Sequence, residues 1–387
     1  MSQSSVSYLW REPSAARPFR TGVSLHSHTN QSKETLDFIA ELSREWGFLQ
    51  PIMRLCERRC SRLSGIRPDY KRSYWTPPLT PRLAFDLERR QIEDSLQIEG
   101  LVSITDHDDI RAPMLLRSIA SARHIPVSVE WTVPFCETSF HIGIHNLPSA
   151  SATGWMTRFE EFTATPVKER APGLLGETLA ELHELPNVLI IFNHPMWDLY
   201  RIGDARQNVL VHDFLMTYGQ FLHALELNGL RSWKENREVA ELASRWNQLV
   251  ISGGDRHGVE PNANVNLSHA TSFTEFVHEV RRERQSHVLF MPQYAEPWKH
   301  RILQSTLDAI RNYPEFPAGS QRWDERVFHP DADGVMRPLC ELWTRGHEPR
   351  FVSGVLNTVR CMEARPVSTG LRMAWNDASE MRATLDI

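Results

Sequence analysis

Seven short apolar runs in this chain carry, or end in, side chains able to bind metal ions. "GVSLHSH" ends in His26 and His28, "LVSITDHDD" in Asp106, His107 and Asp108, and "IPVSVEW" carries Glu130. "SFHIGIHN" carries His141 and His145, "NVLIIFNHP" ends in His194, "HALELNG" carries Glu226 and Asn228, and "QLVISGGDRHG" ends in Asp255 and His257. The runs are rich in Val, Ile and Leu and bounded by Gly, Pro, Asn or Asp, so they read as buried strands. Helical stretches separate several of them: "GETLAELHEL" precedes "NVLIIF", and "KENREVAELASRWN" precedes "QLVISGG". Such alternation predicts an α/β fold built on a parallel sheet or an α/β barrel. In barrels of this kind functional side chains sit at the C-terminal ends of the strands. Packing explains one or two polar residues at such ends, but not the series.

The residue types then define the chemistry. His26 and His28 stand two apart, and on a strand such residues face the same side. Alone, the pair reads as two surface histidines. Together with His107, Glu130, His141, His194, Asp255 and His257 it becomes a mixed imidazole and carboxylate set, suited to Zn, Mn or Fe more than to Ca or Mg. Eight candidates exceed the four ligands of one tetrahedral zinc. A carboxylate such as Glu130 can bridge, so the set predicts two or three divalent metal ions. Ions ~3.5–4 Å apart activate a water and stabilise both attacking and leaving oxygens, and phosphoester hydrolysis is the commonest reaction of that kind. Each residue has a plainer reading: Asp106 as an N-cap, His194 as a strand end before Pro195, Glu130 as a surface charge, Arg256 as a solvent-facing loop residue. The joint arrangement on successive strand ends carries the prediction.

The motifs "LHSHT", "ITDHD", "VE", "HIG", "FNHP" and "GGDRHG", in this order, resemble the PHP (polymerase and histidinol phosphatase) superfamily over roughly residues 22–283. The resemblance implies a distorted (β/α)7 barrel with a di- or trinuclear metal centre at its strand ends. Carried over, His26, His28, Glu130 and Asp255 hold one metal. Glu130 bridges to a second, bound by His141 and His194. His107 and His257 belong to a third. His141 matches the family position better than His145, which becomes a supporting or substrate-facing residue. The family usually places an Asp after "LHxHTxxS", and this chain has Lys33 there, followed by Glu34. The favoured reading gives two tight metals, with Lys33 holding a substrate phosphate as a point charge and His107 and His257 acting on substrate or water. In the other reading Glu34 turns inward as a ligand. Asp106, His107, His257, Arg256 and Lys33 are thus the candidates for the chemistry itself, with Arg256, Lys33 and His145 available to hold the phosphate.

The leading expectation is a metal-dependent phosphoesterase acting on a small phosphorylated molecule. The alternatives are an amidohydrolase-like enzyme, although no metal-bridging lysine is evident at a strand end, and a non-catalytic PHP scaffold. Residues 1–290 read as the barrel, with an insertion at 44–96 between its first two strands, and 291–387 as an extension packed on it. The 387 residues carry a formal net charge of −5, which gives no basic footprint for bulk nucleic-acid binding. The basic stretch Arg54–Arg72 reads as a solvated face. Trp131 and Trp197 lie beside ligand positions, as pocket walls or core. No apolar run approaches the ~20 residues that span a bilayer, and no secretory signal is evident. Cys56, Cys60, Cys136, Cys340 and Cys361 are odd in number and irregularly spaced, so they read as reduced thiols of a cytoplasmic protein.

Overall fold

The structure is a computed structural model that describes residues 3–36, 69–171, 173–343 and 348–375, with 51, 54–55, 57–59 and 62 as separate positions. Most of the expected insertion up to residue 68, including Cys56 and Cys60, lies outside the described residues. Cys136, Cys340 and Cys361 are free thiols.

Two five-stranded sheets form the body. The first contains β1 (Gln3–Tyr8), β2 (Thr21–Ser24), β5 (Glu99–Val102), β11 (Asn264–Ser268) and β12 (Gln285–Phe290), in spatial order β1-β12-β11-β2-β5. The second contains β6 (Val127–Phe135), β7 (Thr138–Leu147), β8 (Leu189–Asn193), β9 (Ala224–Asn228) and β10 (Leu249–Gly253), in order β10-β9-β8-β7-β6. β8, β9 and β10 run parallel and every residue in them is buried, as expected of strands covered on both faces. A third, antiparallel sheet joins β3 (Glu34–Thr35), β4 (Tyr74–Trp75), β13 (Val327–Pro330) and β14 (Met336–Pro338), in order β14-β13-β4-β3.

The fold is therefore mixed α/β, and no continuous ladder closes a barrel among the described residues. The reason is local. β7 runs antiparallel to both β6 and β8, and β11 runs antiparallel to both β12 and β2, which breaks the parallel repeat that the sequence suggested. The two sheets nevertheless meet. An isolated bridge pairs His107 with Glu130, and Asn266 Oδ1 accepts from the Ser252 amide at 2.8 Å. Val23 and Leu25 pack in one buried cluster with Leu189, Ile191, Ala224, Leu249 and Ile251, so both sheets share an apolar interior beneath the strand ends.

Helices cover the outer faces. α1 (Pro81–Leu96) starts where the Thr80 hydroxyl accepts from the Leu83 amide at 3.4 Å and Pro81 opens the first turn, a favourable pairing of N-cap and proline. It lies within the 44–96 segment and leads into β5, parallel to β2. α2 (Arg111–Arg117), α3 (Ala152–Ala164), α4 (Leu174–Glu184), α5 (Asp204–Tyr218), α6 (Trp233–Arg245) and α7 (Phe273–His278) follow. Beyond β12 come α8 (Trp298–Ile310), α9 (Leu339–Leu342), α10 (Arg350–Arg360) and α11 (Arg365–Trp375). Val359, Leu371 and Trp375 pack on Leu303 and Leu307 of α8. No helix among the described residues is long and apolar enough to cross a membrane.

Candidate metal centre

Strand ends bring the candidates together. His26 and His28 follow β2, His107 follows β5, Glu130 lies on β6, His141 on β7, His194 follows β8, and Asp255 and His257 follow β10. All eight fall in four interlocking groups whose ligand atoms lie within 4.8 Å of one another. Three groups are His26, Glu130 and His194; His26, His28 and Asp255; and His107, Glu130 and His141. The fourth is His28, Glu34, His107 and His257.

Glu130 is the hub. One carboxylate oxygen lies 2.9 Å from His26 Nε2, 3.4 Å from His28 Nε2 and 3.3 Å from His107 Nδ1. The other lies 3.1 Å from His194 Nε2 and 3.3 Å from His141 Nδ1, and accepts from Asn193 Nδ2 at 2.9 Å. Asp255 Oδ1 lies 3.7 Å from His26, 3.5 Å from His28 and 3.5 Å from His257. Two supporting residues orient these groups. Glu226 faces His26 Nδ1 at 2.6 Å and accepts from the His194 amide at 2.8 Å. That contact turns His26 Nε2 inward, the carboxylate–histidine arrangement common behind metal ligands. Asn228 Nδ2 donates to Glu226 at 3.2 Å and to Asp255 at 3.1 Å. His194 and Asp255 both hold left-handed backbone, with φ of 27° and 53°, a strained state that persists where surrounding contacts enforce it.

The electrostatics follow from burial and packing. Burial pulls the His26 imidazole down, yet Glu130, Glu226 and Asp255 outweigh it and hold it well above the ordinary range. Burial likewise opposes Glu34 and Glu130 at His107, and the carboxylates win, raising it to about 10. At His28 burial dominates over Glu34 and brings the ring to about 4, and at His141 it dominates over Glu130, again to about 4. Glu34, Glu130 and Asp255 are buried, but the imidazoles around them hold them well below the usual carboxylate range. The cluster therefore presents ionised carboxylates and a mix of neutral and protonated rings. Among the described residues, the buried His107 Nδ1 and His141 Nδ1 lack a hydrogen-bond partner. Orphaned ring nitrogens facing a carboxylate, within a set of imidazole and carboxylate donors, fit divalent transition metals.

Four expectations from the sequence meet a different arrangement. Lys33 is exposed, with its ammonium 5.5 Å from the Tyr74 ring, while Glu34 is 6% exposed and within the cluster. The two-residue period of β3 is the reason: Glu34 points in, and its neighbours Lys33 and Thr35 point out. The inward-turned Glu34 is thus the arrangement present. Arg256 is buried and turned away from the cluster. It contacts Glu88 at 3.2 Å and donates to the Gly258 and Val259 carbonyls, so it neutralises a buried carboxylate where a phosphate contact was expected. Asp106 accepts from the Thr29 amide at 2.5 Å and hydroxyl at 2.7 Å, and burial pushes its carboxyl up to about 7; it pins the turn that carries His28. His145 bonds Ser103 at 2.8 Å and burial lowers it to about 3, so it is a buried ring held by Ser103 where a phosphate contact was expected. Trp131 is fully buried against Phe159, whereas Trp197 stands 5.0 Å from the His194 ring.

Sequence reasoning passed over the orienting roles of Glu226, Asn193 and Asn228. The run "HALELNG" offered Glu226, but nothing in its spacing tied it to His26, 200 residues earlier.

No family model matches the chain, and no curated protein matches it. Solved structures give partial likenesses. An amidohydrolase from Chromobacterium violaceum, with bound sulfate and no metal, is 16% identical with a TM-score of 0.32, over 48% of this chain and 84% of that one. A two-domain protein from Bacteroides vulgatus, containing a predicted PHP-like metal-dependent phosphoesterase, is 14% identical with a TM-score of 0.36, over 56% of this chain and 61% of that one. A candidate metal-dependent phosphoesterase from Bifidobacterium adolescentis is 14% identical with a TM-score of 0.30, over 53% and 91%. Likenesses this distant reach no residue of the site.

Proposed function

We propose that this chain is a metal-dependent hydrolase of small phosphoesters. On this reading the two five-stranded sheets are the halves of a distorted (β/α)7 barrel of PHP type. Residues 1–290 form the catalytic unit and 291–387 an extension packed on it. The observation that carries the reading is the set of four interlocking donor groups at the strand ends, two of which share Glu130.

His26, His28 and Asp255 would hold one ion, Glu130 would bridge from it to another at His141 and His194, and Glu34 with His107 and His257 would complete a third position. When bound, divalent ions of the Zn, Mn or Fe type supply Lewis acidity and a water that ionises near neutral pH. The chain's own residues do the rest. Glu226 fixes the His26 ring, Asn193 holds the Glu130 carboxylate, and Asp106 pins the His28 turn. His107 and His257 are the most open of the imidazoles, at 16% and 14% side-chain exposure, and face the cavity where substrate and water arrive.

Elemental analysis combined with a panel of phosphomonoesters and bisphosphates, on one preparation supplied with Mn or Zn, tests this. Turnover that depends on bound metal and is inhibited by phosphate or vanadate supports it. A metal-loaded protein inert on every member overturns it. Turnover of an amide or lactone, insensitive to phosphate, assigns the amidohydrolase-like alternative.

A further inference from the structure

A cavity of about 130 Å³ opens directly over the cluster. Its floor is His107, His194, Asp255, His257 and Glu34. One wall is the face of α8 that presents Ile302, Ser305, Thr306 and Ala309, residues at the i, i+3, i+4, i+7 spacing that a helix aligns. Trp75 and Trp197 stand on the other sides. Among the described residues lining this cavity, Arg231 is the one guanidinium, and no lysine lines it.

Arg231 is placed with care. Its carbonyl accepts from Tyr294 Oη at 3.0 Å and from Arg301 Nη2 at 2.9 Å, and the preceding carbonyl, Leu230, accepts from Trp298 Nε1 at 2.9 Å. The backbone is therefore tied to α8. The guanidinium lies 4.2 Å from the Trp197 ring centroid, and Trp197 in turn packs edge-on to His194 and His141. The side chain is 14% exposed, and Nε forms an ion pair with Glu235 Oε1 at 3.8 Å, longer than a hydrogen bond. Arg256, paired with Glu88, and Lys33, over Tyr74, do not line this cavity. A stacked guanidinium is a rigid, permanently charged fork that matches the paired oxygens of a phosphoryl group.

We propose that Arg231 binds the anionic group of the substrate, stacked on Trp197 at the wall of the cluster cavity. The proposal rests on the phosphoester reading for the identity of that anion, but its test does not require turnover.

The test uses the full chain loaded with metal, as wild type and as Arg231→Gln and Arg231→Lys. Inorganic phosphate is titrated calorimetrically, metal content and thermal midpoint are measured in parallel, and KM and kcat are read with p-nitrophenyl phosphate. In Arg231→Gln phosphate affinity falls tenfold or more and KM rises more than kcat falls. Metal content and midpoint stay at wild-type values, and Arg231→Lys recovers part of the affinity. Phosphate affinity in Arg231→Gln within twofold of wild type overturns the proposal. So does a wild type that binds no phosphate, or loss of metal and midpoint in both variants, which would make Arg231 a structural residue. Wild type that binds phosphate through Arg231 yet hydrolyses no phosphoester leaves the clamp standing and sinks the phosphoester reading instead.

Discussion

The His26 imidazole is held at both nitrogens: Glu226 at Nδ1, Glu130 and His28 at Nε2. Removing a partner of this kind typically costs 10–100-fold in metal affinity. Glu226→Gln should therefore weaken metal binding by that order, read by competition with a chromophoric chelator, while the fold is kept. Glu34 and Lys33 give an opposed pair. Glu34→Gln should lower the metal bound per chain, and Lys33→Ala should leave it unchanged, both by elemental analysis. Equal stoichiometry in the two variants would contradict the inward role of Glu34. Protons compete for the same atoms. His26 and His107 are held above the ordinary histidine value in the metal-free chain, His107 at about 10, so they stay protonated at neutral pH and a metal must displace those protons. Metal affinity should rise from pH 6 to pH 8, with proton release visible as a buffer-dependent heat. The same shift sets the metal-free stability. The His107 contribution is full below about pH 6.5 and is lost as pH rises toward 10. His28 and His141, lowered to about 4, act oppositely and reduce stability as pH falls from 6.5 toward 4. At this scale the sequence displayed the donor types but not which of them only hold structure: Asp106 bonds Thr29 and His145 bonds Ser103. It did not display direction. Whether Lys33 or Glu34 points inward depends on the phase of a two-residue strand, and Arg256 turns to Glu88 because a buried carboxylate 168 residues away needs a cation.

Among the elements, β10 and the turn after it show how closely backbone and carboxylate approach. A Cβ added at Gly253 would lie 1.4 Å from Glu226 Oε1, so Gly253→Ala must displace the carboxylate that orients His26. The expected result is loss of bound metal at least as severe as in Glu226→Gln. Gly354→Ala on α10 is the matched control, since nothing lies within 4 Å of its added methyl. Replacing glycine inside a helix should there leave metal unchanged and raise stability by up to ~1 kcal/mol, by denaturant titration. The long elements were legible because their periods are long enough to read: β8 and β10 as apolar runs, and α6 as an amphipathic stretch whose Trp233, Val239, Ala240, Leu242 and Ala243 are buried. β1 was not. Its "QSSVSY" alternates weakly, and its pairing partner β12 lies some 280 residues away. β3 and β4 have two residues each, too few to carry any pattern.

For the molecule as a whole, binding that is confined to the folded state adds to stability by mass action, about 2.7 kcal/mol at a hundredfold excess over the dissociation constant. Chelation of the purified protein should lower its thermal midpoint, and the decrease should grow with the concentration of metal restored to the reference sample. A midpoint indifferent to chelator would mean the cluster holds no ion in the folded chain. Strand–helix alternation showed the α/β class, but not where the parallel pattern stops. β7 and β11 reverse direction, and reversal depends on turns and partners that hydrophobic runs do not encode.

The third sheet also bears on synthesis. Glu34 lies on β3, which pairs with β4, and β4 in turn pairs with Val327 and Phe328 of β13. A residue made among the first tenth of the chain thus rests on a strand whose support leaves the ribosome nearly three hundred residues later. His26, His28, Glu130, His141, His194 and Asp255 all precede the end of the turn after β10, whereas the strand that braces Glu34 comes only with β13. On the proposed reading, metal capture at that group should be complete only in chains that extend past β13, so a chain ending before Val327 should bind less metal than the whole protein by elemental analysis.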